Sequence, residues 1–259
     1  MRTANGNLPV FDVLGVRVHM VRMPEVIDRL QRWIHDRDSC HYVVATGMHG
    51  IMEARRDPAF KSILNSADLF MPDGISIIWA ARLHGFKLNK RVCGADMMWD
   101  FLKCAEEQGY SSFFYGDTTE TLEQLVSKLK ASFPRLKIAG YHSPPFRPLT
   151  PEEDQQEIEM INSSSADVVW VGLGLPKQER WMSEHKQKLT IPVLAGVGAS
   201  FKFLSGRVKR APDRIGNLGL EWLWRLFAEP RLVWRRVFLD GPRFVVAVTL
   251  ELAGLRKYS

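Results

Sequence analysis

Cysteine is scarce in this sequence: it has three, Cys40, Cys93 and Cys104, and no two of them form a C-x-x-C pair. An odd, widely spaced set excludes a disulfide scaffold and argues against a zinc site. It suits reduced thiols in a cytosol-facing protein. Long apolar runs are missing too. A bilayer-crossing helix needs ~18 consecutive apolar residues, and the nearest stretch, Phe244 to Leu255, is too short and is interrupted by Glu251. The first residues, Met-Arg-Thr-Ala-Asn-Gly-Asn, hold neither the apolar segment nor the cleavage site of a secretory signal. The expectation is a protein that is soluble or peripheral and does not span a membrane.

Several signatures of nucleotide and hydrolytic chemistry are also lacking. No G-x-x-x-x-G-K-[ST] occurs, which excludes a P-loop. Gly172-Leu-Gly174 continues into Leu-Pro-Lys and lacks the third glycine of a dinucleotide fingerprint. That weakens the reading of a nucleotide-dependent oxidoreductase. Neither H-E-x-x-H nor G-x-S-x-G is present.

What is present begins with charge. The net charge is +6, and it is unevenly placed. Residues 202–259 hold 12 Lys and Arg against 5 Asp and Glu, while residues 1–201 hold 23 against 24. A near-neutral body with a basic tail predicts an anionic partner for the tail: lipid, a pyrophosphate or nucleic acid.

The body alternates strand-like and helix-like segments, as a mainly parallel, Rossmann-like α/β sheet with crossover helices does. Strands are predicted at 41–46, 112–115, 136–141, 168–171 and 192–197, and helices at 24–35, 119–133 and 151–162, the last with an acidic first turn. Ligands of such sheets bind outside the carboxyl ends of the strands. Thr46, Asp73, Gly116, Gly172 and Gly198 all fall at or just after such ends. The tail differs: its short helical segments mix Trp, Phe and Leu with Arg and are punctuated by Pro230 and Pro242. That is the composition of a helix lying in a membrane interface. The predicted division is an α/β catalytic domain over 1–201 and a basic, aromatic-rich appendage over 202–259.

Three segments carry chemistry. In Met71-Pro-Asp-Gly74, proline and glycine hold Asp73 in a tight turn after an apolar run. In Gly172-Leu-Gly-Leu-Pro-Lys-Gln-Glu179, glycines let backbone approach a ligand, and Pro176 opens a helix whose first N–H groups can face an anion. The third is Gly206-Arg-Val-Lys-Arg-Ala-Pro212 with Gly219-Leu-Glu-Trp222 and Glu229-Pro-Arg231. Asp36-Arg37-Asp38 has the spacing of a metal-diphosphate pair but lies between a helix end and a strand start, and reads as a solvated turn. Trp33, Trp79, Trp99 and Trp170 read as core, and Glu184 to Lys188 as a solvated helix face. His41, His84, His142 and His185 read as surface or packing residues. His49, beside Thr46, stays open between packing and catalysis.

These strings, with Arg91-Val-Cys-Gly-Ala-Asp96 and Phe133-Pro134, follow an order and spacing that resembles the WecG/TagA/CpsF family of bacterial glycosyltransferases, from about Val10 to Arg236. The resemblance implies transfer of a sugar from a UDP donor to an undecaprenyl-diphosphate-linked saccharide in cell-surface polysaccharide synthesis, with inversion at the anomeric carbon. It implies N-acetylmannosamine, its uronic acid or glucuronic acid as the sugar moved. Asp73 falls on the family's proposed base, with Thr46 and Gln178 as further catalytic-site residues. The expected substrate-binding residues are Arg91, Asp96, Gly172, Gly174, Lys177, Glu179 and Gly198. Arg210, Arg225, Arg231 and Arg235 are expected to meet the acceptor diphosphate and the inner face of the cytoplasmic membrane. No metal and no cofactor are expected, and a homo-oligomer is left open. One departure stands out: many members read Thr-x-Asn where this chain reads Thr46-Gly-Met48.

The residues suit that chemistry independently. An inverting transfer needs one base for the attacking hydroxyl and stabilisation of the departing diphosphate. Asp73 serves as the base if burial or a like charge raises its pKa. Backbone N–H groups at 172–178 with Arg91 or Lys177 supply the second need. The rival from another class is a nucleic-acid-binding protein using the basic tail. It explains neither Pro-Asp-Gly nor the Pro-Lys-Gln-Glu loop, and the tail tryptophans are spaced more like a lipid-facing surface than like stacking platforms. No nucleic-acid partner is therefore expected.

Overall fold

The structure, a computed structural model, describes residues 8–88, 91–212, 221–228, 230–256 and 258. Gly219, Leu220 and Glu229 of the tail motifs lie outside them, as does the N-terminal stretch 1–7.

The chain opens with strands β1 (Val10–Val13) and β2 (Val16–His19) and helix α1 (Met23–Asp36). There follow β3 (His41–Thr46), α2 (Met48–Arg56), α3 (Pro58–Asn65), β4 (Leu69–Pro72) and α4 (Ile75–Leu83). Next come α5 (Gly94–Gln108), β5 (Ser111–Gly116), α6 (Thr119–Ser132), β6 (Lys137–His142) and α7 (Pro151–Ser163). Then come β7 (Val168–Gly172), α8 (Lys177–His185), β8 (Val193–Gly196) and α9 (Ser200–Leu204), a helix that runs across the predicted boundary at 201. The appendage contributes α10 (Glu221–Ala228), α11 (Pro230–Arg235), a π-helical turn at Arg236–Asp240 and α12 (Gly241–Leu252).

Strands β3 to β8 form one wholly parallel sheet in the order β4-β3-β8-β7-β5-β6. The apolar runs arise because both faces are covered. In β7, Val169 and Val171 join one core with Tyr42, Val44 and Leu194, while Val168 and Trp170 join another with Val43, Val193 and Ala195. Helices α1, α5 and α6 cover the second face through Leu30, Phe101 and Leu125. Helices α2, α3, α7 and α8 cover the first through Ile51, Phe60, Ile158 and Met182. Helix α7 starts as its acidic first turn foretold, with a capping box in which Thr150 Oγ1 accepts from Glu153 N and Glu153 Oε2 accepts from Thr150 N.

The hairpin β1-β2 escaped sequence reading. Its two-residue turn places Leu14 at φ 53° and Gly15 at φ 76°, the doubly left-handed geometry that usually advertises itself as Asn-Gly or Asp-Gly. Helix α12 packs Phe244, Ala247 and Val248 into the same core as the hairpin, and its Glu251 carboxylate accepts from Leu14 N at 3.1 Å. The tail segments on either side of Pro242 are not separate. The π-helical turn ends next to it and carries the chain from α11 into α12, accommodating a residue that has no N–H to donate.

Two tryptophans correct the sequence reading. Trp33 and Trp170 are buried, but Trp79 is 55% exposed and Trp99 40% exposed. The stretch 184–188 is likewise not one solvated face, since His185 is buried and bonds both Asp154 and the Trp181 carbonyl. Asp36 and Asp38 are exposed, at the amino-terminal edge of the sheet.

Candidate active site

The parallel register brings the strand ends together. Thr46 pairs with Pro72, Val171 with Gly196, and Gly116 with Gly172. The loops leaving these ends border a cavity of about 1580 Å³. Thr46, Asp73, Arg91, Gly172, Gly174, Lys177, Gln178 and Gly198 line it, and from the appendage so do Arg225 and Arg236. The proline-rich segment 144–148 forms part of the rim.

Asp73 follows β4 directly, where its N–H bonds back to Met71 O at 2.8 Å. The neighbouring loop closes on it so tightly that a Cβ on Gly47 would lie 2.3 Å from the Asp73 carbonyl oxygen. Only glycine permits that approach, so the Gly in Thr46-Gly-Met48 sets the distance between the β3 and β4 strand ends. Burial pushes the Asp73 carboxyl up to about 6; the Arg91 guanidinium pulls against this, and the Glu221 carboxylate adds to it. Asp73 Oδ2 also faces Gly94 N at 3.5 Å, at the start of α5. A carboxylate in that range is half-protonated in mildly acidic solution and accepts a proton near neutrality. Cys93, on the same wall, is also raised, and this makes it a poor nucleophile: burial and nearby carboxylates push its thiol up to about 12.

Gln178 is buried at the first turn of α8. Its Oε1 accepts from Gly198 N at 3.0 Å, and its Nε2 donates to Glu179 Oε1 at 2.8 Å. Lys177, one residue earlier, is exposed at the mouth. Thr46 is buried against α2, and His49 in that helix faces Asp240 of the appendage, Nδ1 to Oδ2 at 3.3 Å. Arg56 pairs with the other oxygen of Asp240. Burial pushes His49 below its usual pKa.

Five expected site residues stand elsewhere. Asp96 and Arg210 do not line the cavity but hold each other in a bidentate ion pair, with the second bond at 2.9 Å. Glu179 lies beneath the cavity wall, fully buried. Arg231 and Arg235 are exposed on the outside of α11. Arg91 lines the cavity but is paired with Glu221 at 2.5 Å. Conversely Glu221, Arg236 and Asp240 were given no role by sequence reasoning. Glu221 belongs to the Gly219-Leu-Glu-Trp222 motif, but its partner lies 130 residues away by number and only the fold joins them. Among the described residues, no three His, Cys, Asp or Glu side chains converge to hold a metal ion, and no helix is long and apolar enough to cross a membrane.

A Rossmann-like sheet with an acid of raised pKa at its strand ends, facing arginines of a basic appendage, suits an enzyme that transfers groups from anionic substrates. The chain belongs to the glycosyl transferase WecG/TagA/CpsF family, whose profile matches residues 11–258. It is similar to an N-acetylglucosaminyldiphosphoundecaprenol N-acetyl-β-D-mannosaminyltransferase of Bacillus spizizenii, with 32% identity over 86% of this chain and 84% of the relative. Proteins of the same name from Bacillus subtilis and Staphylococcus aureus are 30% and 26% identical, over 87% and 89% of this chain and 85% and 88% of their own lengths. The protein is thus a glycosyltransferase, and the nucleic-acid and oxidoreductase readings give way to that chemistry.

Proposed function

We propose that this enzyme moves a sugar from a UDP donor to an undecaprenyl-diphosphate-linked saccharide, with inversion, and that Asp73 is the base. The relatives' names favour N-acetylmannosamine over its uronic acid or glucuronic acid, and N-acetylglucosaminyl diphosphoundecaprenol as acceptor. The observation that carries this reading is Asp73 itself: a carboxyl held to about 6, set in a cavity bordered by cationic side chains of both the body and the appendage.

In the proposed reaction the Asp73 carboxylate takes the proton of the acceptor hydroxyl. The hydroxyl oxygen forms a bond to the anomeric carbon as the bond from that carbon to the diphosphate oxygen breaks, and UDP leaves with the electron pair. The N–H groups of the loop between β7 and α8, Leu173 to Leu175, and the Lys177 ammonium meet the departing diphosphate. Thr46 and Gln178 orient the donor sugar. Arg225 and Arg236 hold the acceptor diphosphate at the appendage side of the cavity. The appendage, residues 202–259, rests on the cytoplasmic membrane surface. Support for this comes from exposed apolar side chains there, Phe227 at 80% and Phe238 at 60%, beside the exposed Arg231, Arg235 and Arg243.

The test is UDP release from purified protein with a prenyl-diphosphate-linked N-acetylglucosamine and a panel of UDP-sugars, in EDTA, with Asp73→Asn alongside. Acceptor-dependent release that survives EDTA and drops about 10²–10⁴-fold in the variant supports the reading. Release that needs a divalent cation, or a variant as fast as the wild type, overturns the metal-free mechanism or the base assignment.

A further inference from the structure

Glu179 does not border the cavity, yet it is the most deeply buried carboxyl in the site region, with 0% exposure. Among the described residues no cation balances it, and its one side-chain partner is the amide of its neighbour, Gln178 Nε2 to Glu179 Oε1 at 2.8 Å. Its other oxygen, Oε2, is buried without a hydrogen-bond partner among the described residues. Burying a carboxyl this way is costly, and burial pushes Glu179 up to about 7. A group so expensive calls for a role.

The geometry around Gln178 supplies one. A backbone N–H can only donate, so the contact from Gly198 N at 3.0 Å fixes which end of the Gln178 amide is oxygen. The NH₂ end must then find acceptors, and Glu179 Oε1 is placed to be one. The fit is tight: a Cβ at Gly196 would come within 3.1 Å of Gln178 Nε2 and 2.7 Å of the Met182 methyl. Gln178 therefore bridges its own loop after β7 to the loop after β8, held at both ends. Its NH₂ has two hydrogens, and Glu179 takes one.

We infer that Glu179 is a positioning residue, which fixes the orientation of the Gln178 amide by accepting one Nε2 hydrogen and so presents the other toward the bound substrate. The inference rests on the proposed place of Gln178 in the substrate site. Acting at a distance from the reacting atoms, Glu179 governs turnover through Gln178 alone.

Two substitutions separate this role from simple packing. Glu179→Met keeps the length and apolar volume and removes the acceptor. Glu179→Gln keeps an acceptor oxygen. The expected result is a kcat about 10- to 100-fold lower in Glu179→Met with donor KM little changed, the size of loss that misplacing a site group produces, and rescue in Glu179→Gln to within a few fold of wild type. In a Gln178→Ala background, Glu179→Met should cost nothing further. Full additivity of the two losses overturns the inference, as does a silent Gln178→Ala.

A second readout does not depend on turnover. The Gln178 side-chain amide resonances in ¹⁵N-labelled protein, assigned by their loss in Gln178→Ala, should be those of a fixed, slowly exchanging amide in the wild type and in Glu179→Gln. In Glu179→Met they should broaden or move to solvent-averaged positions. An unchanged amide in Glu179→Met overturns the positioning role even if transfer activity is never found. A wild type inactive with every donor, but with a fixed amide lost in Glu179→Met, would leave the positioning role standing and sink only the proposed reaction.

Discussion

The Arg91 guanidinium lies 2.5 Å from the Glu221 carboxylate, and this pair joins the body to the first described helix of the appendage beside Asp73. Both charges act on the Asp73 carboxyl, with opposite signs: Arg91 lowers its pKa and Glu221 raises it. The appendage thus contributes to the electrostatics of the base as well as to the wall of the cavity.

Removing one charge at a time should therefore move the acidic limb of the pH–rate profile in opposite directions. Asp73 works deprotonated and sits at about 6, so kcat/KM falls as pH drops through that value. Glu221→Gln takes away a negative neighbour and should shift the limb to lower pH. Arg91→Gln takes away a positive one and should shift it higher, with lower activity at pH 6 than at pH 8 relative to wild type. Limbs that stay in place in both variants would count against Asp73 as the titrating group.

The fold was legible wherever burial repeats along the chain. Five of the six parallel strands were marked by short apolar runs, and the sixth, β4, announced itself as the run before Asp73. The cavity was legible because strand ends collect glycines and polar residues at one edge. Pairs that close the structure were not legible. Arg91 with Glu221, Asp96 with Arg210, and His49 and Arg56 with Asp240 join residues more than 100 positions apart, so no local spacing encodes them. Charges that looked available to substrate, Arg210 and Asp96, are consumed by each other for the same reason. Trp79 misled because tryptophan is usually core; its side chain instead lines the cavity.

Asp240 is the tether most exposed to test. It is buried, and it pairs with both Arg56 and His49. Asp240→Asn takes the carboxylate away from His49 and leaves Arg56 only its longer contact with Glu53 at 3.4 Å, and should destabilise the protein by about 1–3 kcal/mol. The cost stays below that of a fully buried pair because the Arg56 side chain is 42% exposed. Denaturant unfolding reads the loss. Limited proteolysis should find new cuts between α9 and α12, and an unchanged cutting pattern would mean that other contacts hold the appendage in place.

Glu179 makes stability depend on pH in an unusual direction. Its carboxyl rises from an ordinary 4.5 to about 7 in the folded protein, so the folded state binds the proton more tightly than the unfolded one. Its contribution is most favourable below pH 4.5 and is lost as pH climbs through 7. Glu179→Gln removes that penalty. The variant should be more stable than wild type at pH 8, by an amount on the order of 2–3 kcal/mol, with the gap narrowing toward pH 5. Urea unfolding at the two pH values decides it, and a gap that is constant or widens in acid would show that Glu179 ionises normally.

Membrane contact needs point variants, because truncation at residue 202 is not a clean test. Phe244, Ala247 and Val248 belong to the core, and Glu251 caps the hairpin at Leu14, so removing the appendage exposes the body as well. The outer surface of α11 and the π-helical turn offers better targets: Arg231 and Arg235 are exposed, and Trp234 and Phe238 lie among them. Basic residues near an anionic surface contribute roughly fivefold each to binding, and salt screens that part. Replacing both arginines with alanine should weaken binding to vesicles rich in anionic lipid about 30-fold, and high salt should shrink the difference. Trp234→Ser with Phe238→Ser should weaken binding at every salt concentration, since apolar insertion is not screened. Arginine variants that bind anionic vesicles as well as the wild type would move the membrane face away from α11 and leave Arg225 and Arg236, inside the cavity, as the appendage cations left to meet the acceptor.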